Sequence, residues 1–301
     1  EAGVVYVGED KKGAEVALPV GQTLRVELET IPTAGYTWQI VEKPDFLELT
    51  GENTRATNPA LQEQPGFTHW GSFAEHVALH AADTNLVALP ESVDFATAAS
   101  LGCRFATAHR ALVARARVTK GEWVTVVGAG GVGLSAVMIA RSLGARVVAV
   151  DRNPEALALA TELGAEHTVL ADGRDVASTV ADLTGGGSHV ALDAVGSEQT
   201  CADAILSLRR RGRHVQVGLL PPVDGHPRVP MARVIGWELD LLGSHGMAAV
   251  DYPGMLALIE SGALQPQRLI ERIIGLEEAA ALLPGFDSAK VAGMTIVDPT
   301  R

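Results

Sequence analysis

Cysteine is scarce: Cys103 and Cys201 are the only two in 301 residues. Two thiols cannot make a disulfide framework, which excludes the small stapled scaffolds and fits a reducing compartment. Basic residues are outnumbered, 24 against 36 acidic, leaving a formal net charge of −12. Nucleic acid and anionic membrane both need a positive face, so neither is expected as a partner. A long unbroken apolar run is also missing. The longest uncharged stretch, residues 123–140, is split by Gly128, Gly130, Gly131 and Gly133, so it reads as strand, turn and helix rather than a membrane span. The chain opens on Glu1 rather than Met, as a trimmed start would, and no charged-then-apolar leader is visible. A cytoplasmic location is the expectation. No internal repeat is apparent.

What is present is glycine, 32 residues, and a hydrophobic content of 47%, the composition of a soluble α/β protein. The length suggests about two domains. From residue 120 onward short apolar runs alternate with helical patterns. Strands are predicted at 123–128, 146–151, 167–170, 189–195, 213–219 and 238–243. Helices are predicted at 132–143, 153–164, 175–183 and 197–211. Asn153 caps the second helix, Pro154 suits its first position and Gly164 its exit. Alternation of this kind predicts parallel strands joined by helical crossovers, a doubly wound sheet. The arginines of "LRRRGRH", Arg209 to Arg213, read as a helix C-terminus ended by Gly212.

The first 50 residues differ. Their apolar and polar positions alternate at period two, with turn signals at Pro19–Gly21 and Pro32–Gly35, which predicts antiparallel strands. Residues 51–68 read as a linker. "SFAEHVAL" reads as a strand, and residues 96–116 read as helix. A helix and a final strand are predicted within 276–298.

"VTVVGAGGVGLSAV" holds Gly128, Gly130 and Gly133 in G-x-G-x-x-G spacing. The first glycine makes a tight turn, the second lets a pyrophosphate approach the backbone, and the third permits close helix–strand packing. Gly131 and Val132 start the helix whose free N–H groups and positive dipole end face the phosphates. Asp151 follows at the end of the next strand, placed to bind the ribose hydroxyls and repel a 2′-phosphate. NAD is therefore the expected cofactor, with Arg152 able to soften the preference over NADP.

Residues 65–301 resemble the zinc-type medium-chain alcohol dehydrogenases. The matching stretches are "GSFAEHVAL" (71–79), "LGCRFATAHRAL" (101–112), "VVGAGGVGLSAVMIARSLGA" (126–145), "VVAVDRNPEALALATELGA" (147–165), "ALDAVG" (191–196) and "LLGSHG" (241–246). The resemblance implies that Cys103 is the downstream ligand of a catalytic zinc and that Thr107 faces the nicotinamide. It implies that Val195, Gly196, Val217, Gly218, Gly243 and Ser244 line the nicotinamide and ribose. It also implies a homodimer through 238–246.

The sequence departs from that family in its metal ligands. Residues 1–102 contain no cysteine, and no Gly-His-Glu stretch occurs. A catalytic zinc takes three protein ligands and one open position, so Cys103 alone cannot hold it well. His69, His76, His80 and His109 are near in sequence but show no metal spacing. Cys103 is thus either an orphaned ligand or a small buried apolar side chain, and the sequence favours the second. Cys201, inside a helical pattern, reads as core.

The stretch "VALPVGQTLRVELETIPTAGYTW" resembles the chagasin-type cysteine-peptidase inhibitors. Their cleft-entering loop is matched by Pro32, Thr33, Ala34, Gly35 and Tyr36, within Ile31–Trp38, which implies a papain-like peptidase as partner. The family's other two loops have no match.

The expected architecture is α/β: a doubly wound parallel sheet (Rossmann) with a second, smaller β lobe of mixed origin. Residues 1–60 are a chagasin-like segment and 61–118 a remnant of the dehydrogenase's catalytic lobe. Residues 119–275 form the dinucleotide-binding domain, and 276–301 return to the β lobe. Strands of 1–50 are expected to pair with 69–90 and 293–298, because neither part has enough strands for its own sheet. Three functions follow: an NAD-linked oxidoreductase impaired by lost zinc ligands, a peptidase-binding module, or a chimera with no selected activity.

Overall fold

The computed structural model describes residues 4–7, 23–26, 71–74, 76–77, 82–221, 225–288 and 292–301. The chain falls into two compact units, Glu1–Leu79 and His80–Arg301.

In the first unit β1 (Val4–Val7) pairs with β2 (Thr23–Val26). The pairing is parallel, which corrects the antiparallel expectation. An antiparallel neighbour needs only a tight hairpin; residues 8–22 between these strands are long enough for the crossover a parallel pair requires. The stretch 72–74, expected as strand, is a bend. The loop Ile31–Trp38 lies outside the described residues, as do His69 and His80.

The second unit begins with α1 (Ala82–Asn85) and α2 (Phe95–Ser100). Asp94 caps α2 by accepting from the Thr97 N–H at 2.8 Å. A π-helical turn, Leu101–Phe105, then breaks the helix, with Gly102 at φ −43°, ψ −125°. Beyond it comes α3 (Ala106–Arg110); Ala108 on it, with Phe105 before it and Leu112 after it, enters the core.

The main sheet follows. It comprises β3 (Trp123–Val127), β4 (Arg146–Asp151), β5 (His167–Leu170), β6 (Ser188–Asp193), β7 (Leu208–Gln216) and β8 (Asp240–Gly243). Their spatial order is β5-β4-β3-β6-β7-β8, every pair parallel. The crossovers are α4 (Gly131–Ser142), α5 (Pro154–Glu162), α6 (Val176–Thr184), α7 (Glu198–Leu206) and α8 (Met231–Trp237). β3 is buried at all five positions, as expected of a strand covered on both faces. One face packs on Leu134, Ile139 and Met255, the other on Val180, Ala204 and Ile205. Full burial of a Leu or Ile side chain stabilises by about 1.5–3 kcal/mol.

Several sequence expectations land within two residues of the observed ends, notably β4, β5, α4 and α5. Asn153 caps α5 by accepting from the Glu155 N–H at 2.9 Å. The arginine run does not end a helix. α7 stops at Leu206 and the arginines sit in β7, where the register against β6 shifts between Ser188 and Val190. The bulge explains the misreading. Gly212 is needed because a Cβ there would come 2.9 Å from the Arg209 carbonyl, and Arg211 takes φ +60°.

The remainder is α9 (Tyr252–Glu260), β9 (Ile270–Ile274), α10 (Leu276–Leu282) and β10 (Met294–Val297). β10 pairs in parallel with β9. β9 is a strand not foreseen; the expected partnership of 293–298 with strands of 1–50 involves residues that lie largely outside the described ones. Among the described residues no helix is long and apolar enough to cross a membrane.

Candidate functional site

The strand order reverses between β3 and β6, and their carboxyl ends open the crevice where doubly wound sheets bind ligands. The glycine elbow lies there. Gly128 follows β3 at φ +96°, a conformation that penalises any Cβ; one there would meet Val195 Cγ2 at 2.5 Å. Its N–H donates to the Val150 carbonyl at 2.8 Å. The next N–H, of Ala129, donates to Asp151 Oδ2 at 2.6 Å, while Asp151 Oδ1 accepts from the Asn153 N–H at 2.7 Å. Asp151 therefore holds the turn that it was expected to serve only as a ribose ligand.

Gly130 is the N-cap of α4, with no side-chain cap. A Cβ on Gly130 would meet nothing within 4 Å, whereas one on Gly133 would lie 1.7 Å from the Gly128 carbonyl oxygen. The two glycines thus do different work. Gly133 lets helix and strand touch; Gly130 is exposed, with open space beside the free N–H groups of the first turn. Gly131 and Val132 lie in that turn, half-buried, and Arg152 is exposed.

A second loop pair faces the elbow. Asp193, fully buried at the end of β6, organises it. Its Oδ1 accepts from the N–H groups of Val195 (2.9 Å) and Gly196 (3.1 Å). Its Oδ2 accepts from Gln216 Nε2 (2.8 Å) and Thr200 Oγ1 (3.3 Å). Its carbonyl accepts from the N–H groups of Val217 (3.1 Å) and Gly218 (2.9 Å). The loops touch backbone to backbone, since a Cβ on Gly196 would lie 2.1 Å from the Leu219 carbonyl and one on Gly218 would lie 2.3 Å from the Gly196 nitrogen. Sequence reasoning missed Asp193; its signal was a carboxylate closing an otherwise apolar strand.

Ser244 follows β8, its N–H bonded to the Gln216 carbonyl at 3.1 Å. Arg115, also missed, donates Nε to the Gly243 carbonyl at 2.8 Å. Two hydroxyls, Thr107 Oγ1 and Ser244 Oγ, are buried with no partner among the described residues. Buried polar atoms are nearly always satisfied, so each orphan asks for a ligand or water. The open space at Gly130 and these two hydroxyls are what a dinucleotide would fill and satisfy, and in this respect the residues fit one.

Zinc is a different matter. Among the described residues no group of three His, Cys, Asp or Glu side chains could hold a metal. Cys103 is exposed, which corrects the buried apolar reading: the break at Gly102 turns the thiol away from the core that Leu101 and Phe105 enter. His76 is exposed, and burial pushes the half-buried His109 below its ordinary range against the opposing charge of Asp251. Among the described residues, therefore, Cys103 has no set of partners that would complete a catalytic zinc site, and His69 and His80 lie outside those residues. Cys201 is buried, as expected, and burial pushes its thiol up to about 11, with Asp193 adding to the shift.

The sheet order, the elbow and the paired loops define a doubly wound, Rossmann-type dinucleotide-binding fold. Comparison with known proteins agrees. Residues 131–261 match the zinc-binding dehydrogenase family model, and residues 17–75 match that of the chagasin family peptidase inhibitors. The chain is 31% identical to an NAD-dependent alcohol dehydrogenase of Sulfolobus acidocaldarius over 253 residues, 83% of this chain and 70% of that one. It is 36% identical to an alcohol dehydrogenase of Geobacillus stearothermophilus over 176 residues, 58% of this chain and 49% of that one. Among solved structures, the alcohol dehydrogenase of Aeropyrum pernix superposes with a TM-score of 0.69 at 33% identity, covering 79% of this chain and 68% of that one. That of Thermus sp. ATN1 gives 0.68 at 31%, covering 78% and 69%. The chain belongs to the zinc-type medium-chain alcohol dehydrogenases, and it spans between half and seven-tenths of the length of these relatives.

Proposed function

We propose that the chain binds NAD(H) in the crevice between β3 and β6, and that it oxidises alcohols weakly or not at all. The observation that carries the binding half is the elbow: open space at Gly130, closed packing at Gly133, and Asp151 bonded to the intervening turn through the Ala129 N–H. In this reading the first-turn N–H groups of α4 bind the pyrophosphate. The Asp151 carboxylate, with lone pairs to spare, accepts from the adenosine ribose and disfavours a 2′-phosphate. Thr107 and Ser244 hydroxyls and the Val195–Gly196 loop orient the nicotinamide end. The coenzyme, when bound, supplies hydride transfer. The names of the relatives, NAD-dependent alcohol dehydrogenases, support the choice of NAD. The impaired half is supported by the sequence, which has no cysteine before Cys103 and no Gly-His-Glu stretch, and by the lack of a three-donor group among the described residues.

An NADH fluorescence titration combined with metal analysis tests both halves. Saturable binding at one site per chain, with less than stoichiometric zinc and negligible alcohol oxidation, is the expected result. No fluorescence change up to millimolar NADH contradicts the binding half. One tightly held zinc with robust turnover contradicts the other.

A second reading has one observation of its own, the chagasin-family match over residues 17–75. On that reading Pro32 to Tyr36 enter the cleft of a papain-like peptidase, and the chain is a chimera of two partial families. Papain inhibition that disappears in Gly35→Arg is the outcome it requires.

A further inference from the structure

The fingerprint does not require a glycine at 131, and in the structure the Arg104 side chain lies against that position. A Cβ there would lie 2.5 Å from Cδ and 3.2 Å from Nε of Arg104. The Arg104 stem therefore crosses the first residue of α4 at its α-carbon. Arg104 arrives there because the π-helical turn after α2 breaks at Gly102, so that Leu101 and Phe105 are buried while Arg104 stays at the surface.

Its charge has no protein counterpart. Among the described residues Arg104 has neither an ion pair nor a hydrogen-bond partner. Arg110, Arg146, Arg174, Arg211, Arg213, Arg228 and Arg301 each face a carboxylate. A lone guanidinium parked against the positive end of a helix is electrostatically unfavourable by itself. An anion lying in the cradle turns both into attractions, and a planar guanidinium is well matched to phosphate oxygens.

We propose that Arg104 is a pyrophosphate-binding residue of the coenzyme site, reaching across Gly131 to the phosphates. The inference rests on the coenzyme reading above and adds a residue that the glycine fingerprint does not contain. Its consequence is that the segment carrying Cys103 and Thr107 takes part in gripping the coenzyme.

Arg104→Gln tests it by binding alone. NADH and ADP-ribose should bind about tenfold to hundredfold more weakly than to the wild type, with a shallower dependence of affinity on salt. Adenosine, which has no phosphate, should compete equally well in both proteins, and the melting temperature should stay the same. NADH binding within twofold of wild type overturns the inference while leaving the coenzyme reading intact. An equal loss for adenosine overturns it too, since the effect would then be on the fold of the site. Failure of the wild type itself to bind NADH overturns the coenzyme reading, and this inference with it.

Discussion

The Asp151 carboxylate and the Ala129 N–H, 22 residues apart in sequence, meet at 2.6 Å. This bond joins the end of β4 to the elbow after β3, so the residue proposed to select the ribose also sets the turn proposed to receive the phosphates. A hydrogen bond to an ionised group contributes about 1.5–3 kcal/mol. Asp151→Ala should therefore lower the unfolding free energy by about that amount as well as weakening NADH. A variant that loses NADH with an unchanged urea midpoint would show that Asp151 acts on the ligand only.

Gly130 and Gly133 should respond oppositely to the same methyl group. At Gly133 the added Cβ has only 1.7 Å to the Gly128 oxygen. Backbone must move, and overpacking of this kind costs about 1–3 kcal/mol. At Gly130 the Cβ meets nothing within 4 Å, so Gly130→Ala should fold with wild-type stability and still lose NADH affinity by filling the cradle. Thermal melts and NADH titrations of both variants check the contrast. A Gly130→Ala protein that binds normally would mean that the space is not a ligand site.

His214 gives a pH signature. It is 2% exposed on β7, and burial pushes its imidazole below the ordinary 6.5, against the opposing influences of Gln216 and Asp193. Below pH 6.5 the unfolded chain takes up a proton that the folded chain refuses, so stability is fully present above that pH and falls as pH falls. The limiting slope is about 1.4 kcal/mol per pH unit for one such group. Urea midpoints between pH 8 and 5.5 should decline, and His214→Gln should decline less steeply. Equal slopes in the two proteins would place the acid sensitivity elsewhere.

The two cysteines should behave as different reagents. Cys103 is exposed and Cys201 buried, with its thiol held near 11. A thiol-reactive dye should label one site per native chain quickly and two in guanidinium. Rapid labelling of both in the native protein would contradict the packing of α7 against β6.

Much of this was legible in the sequence, for identifiable reasons. β4 and α5 announced their limits because a β-branched run, an Asn cap and an initial Pro each act locally. The elbow was readable because each glycine answers a local steric demand. What escaped was long-range. Asp193 sits in an apolar strand, and its six acceptor contacts come from residues as far on as Gly218, which no local pattern encodes. The arginines of β7 imitate a helix end because a β-bulge and a helix C-terminus both use Gly. Cys103 was misjudged as buried because helical spacing continues straight through Gly102, where the backbone does not.

The central claim is that the crevice between β3 and β6 receives a dinucleotide. Mapping amide chemical shifts during NADH addition tests it most directly. The account predicts saturable shifts centred on Gly128–Gly133, Asp151 and Val195–Gly196, with Gly218 following through its contact with Gly196. Unmoved amides at the elbow at saturating NADH, or shifts confined to another face, would contradict it.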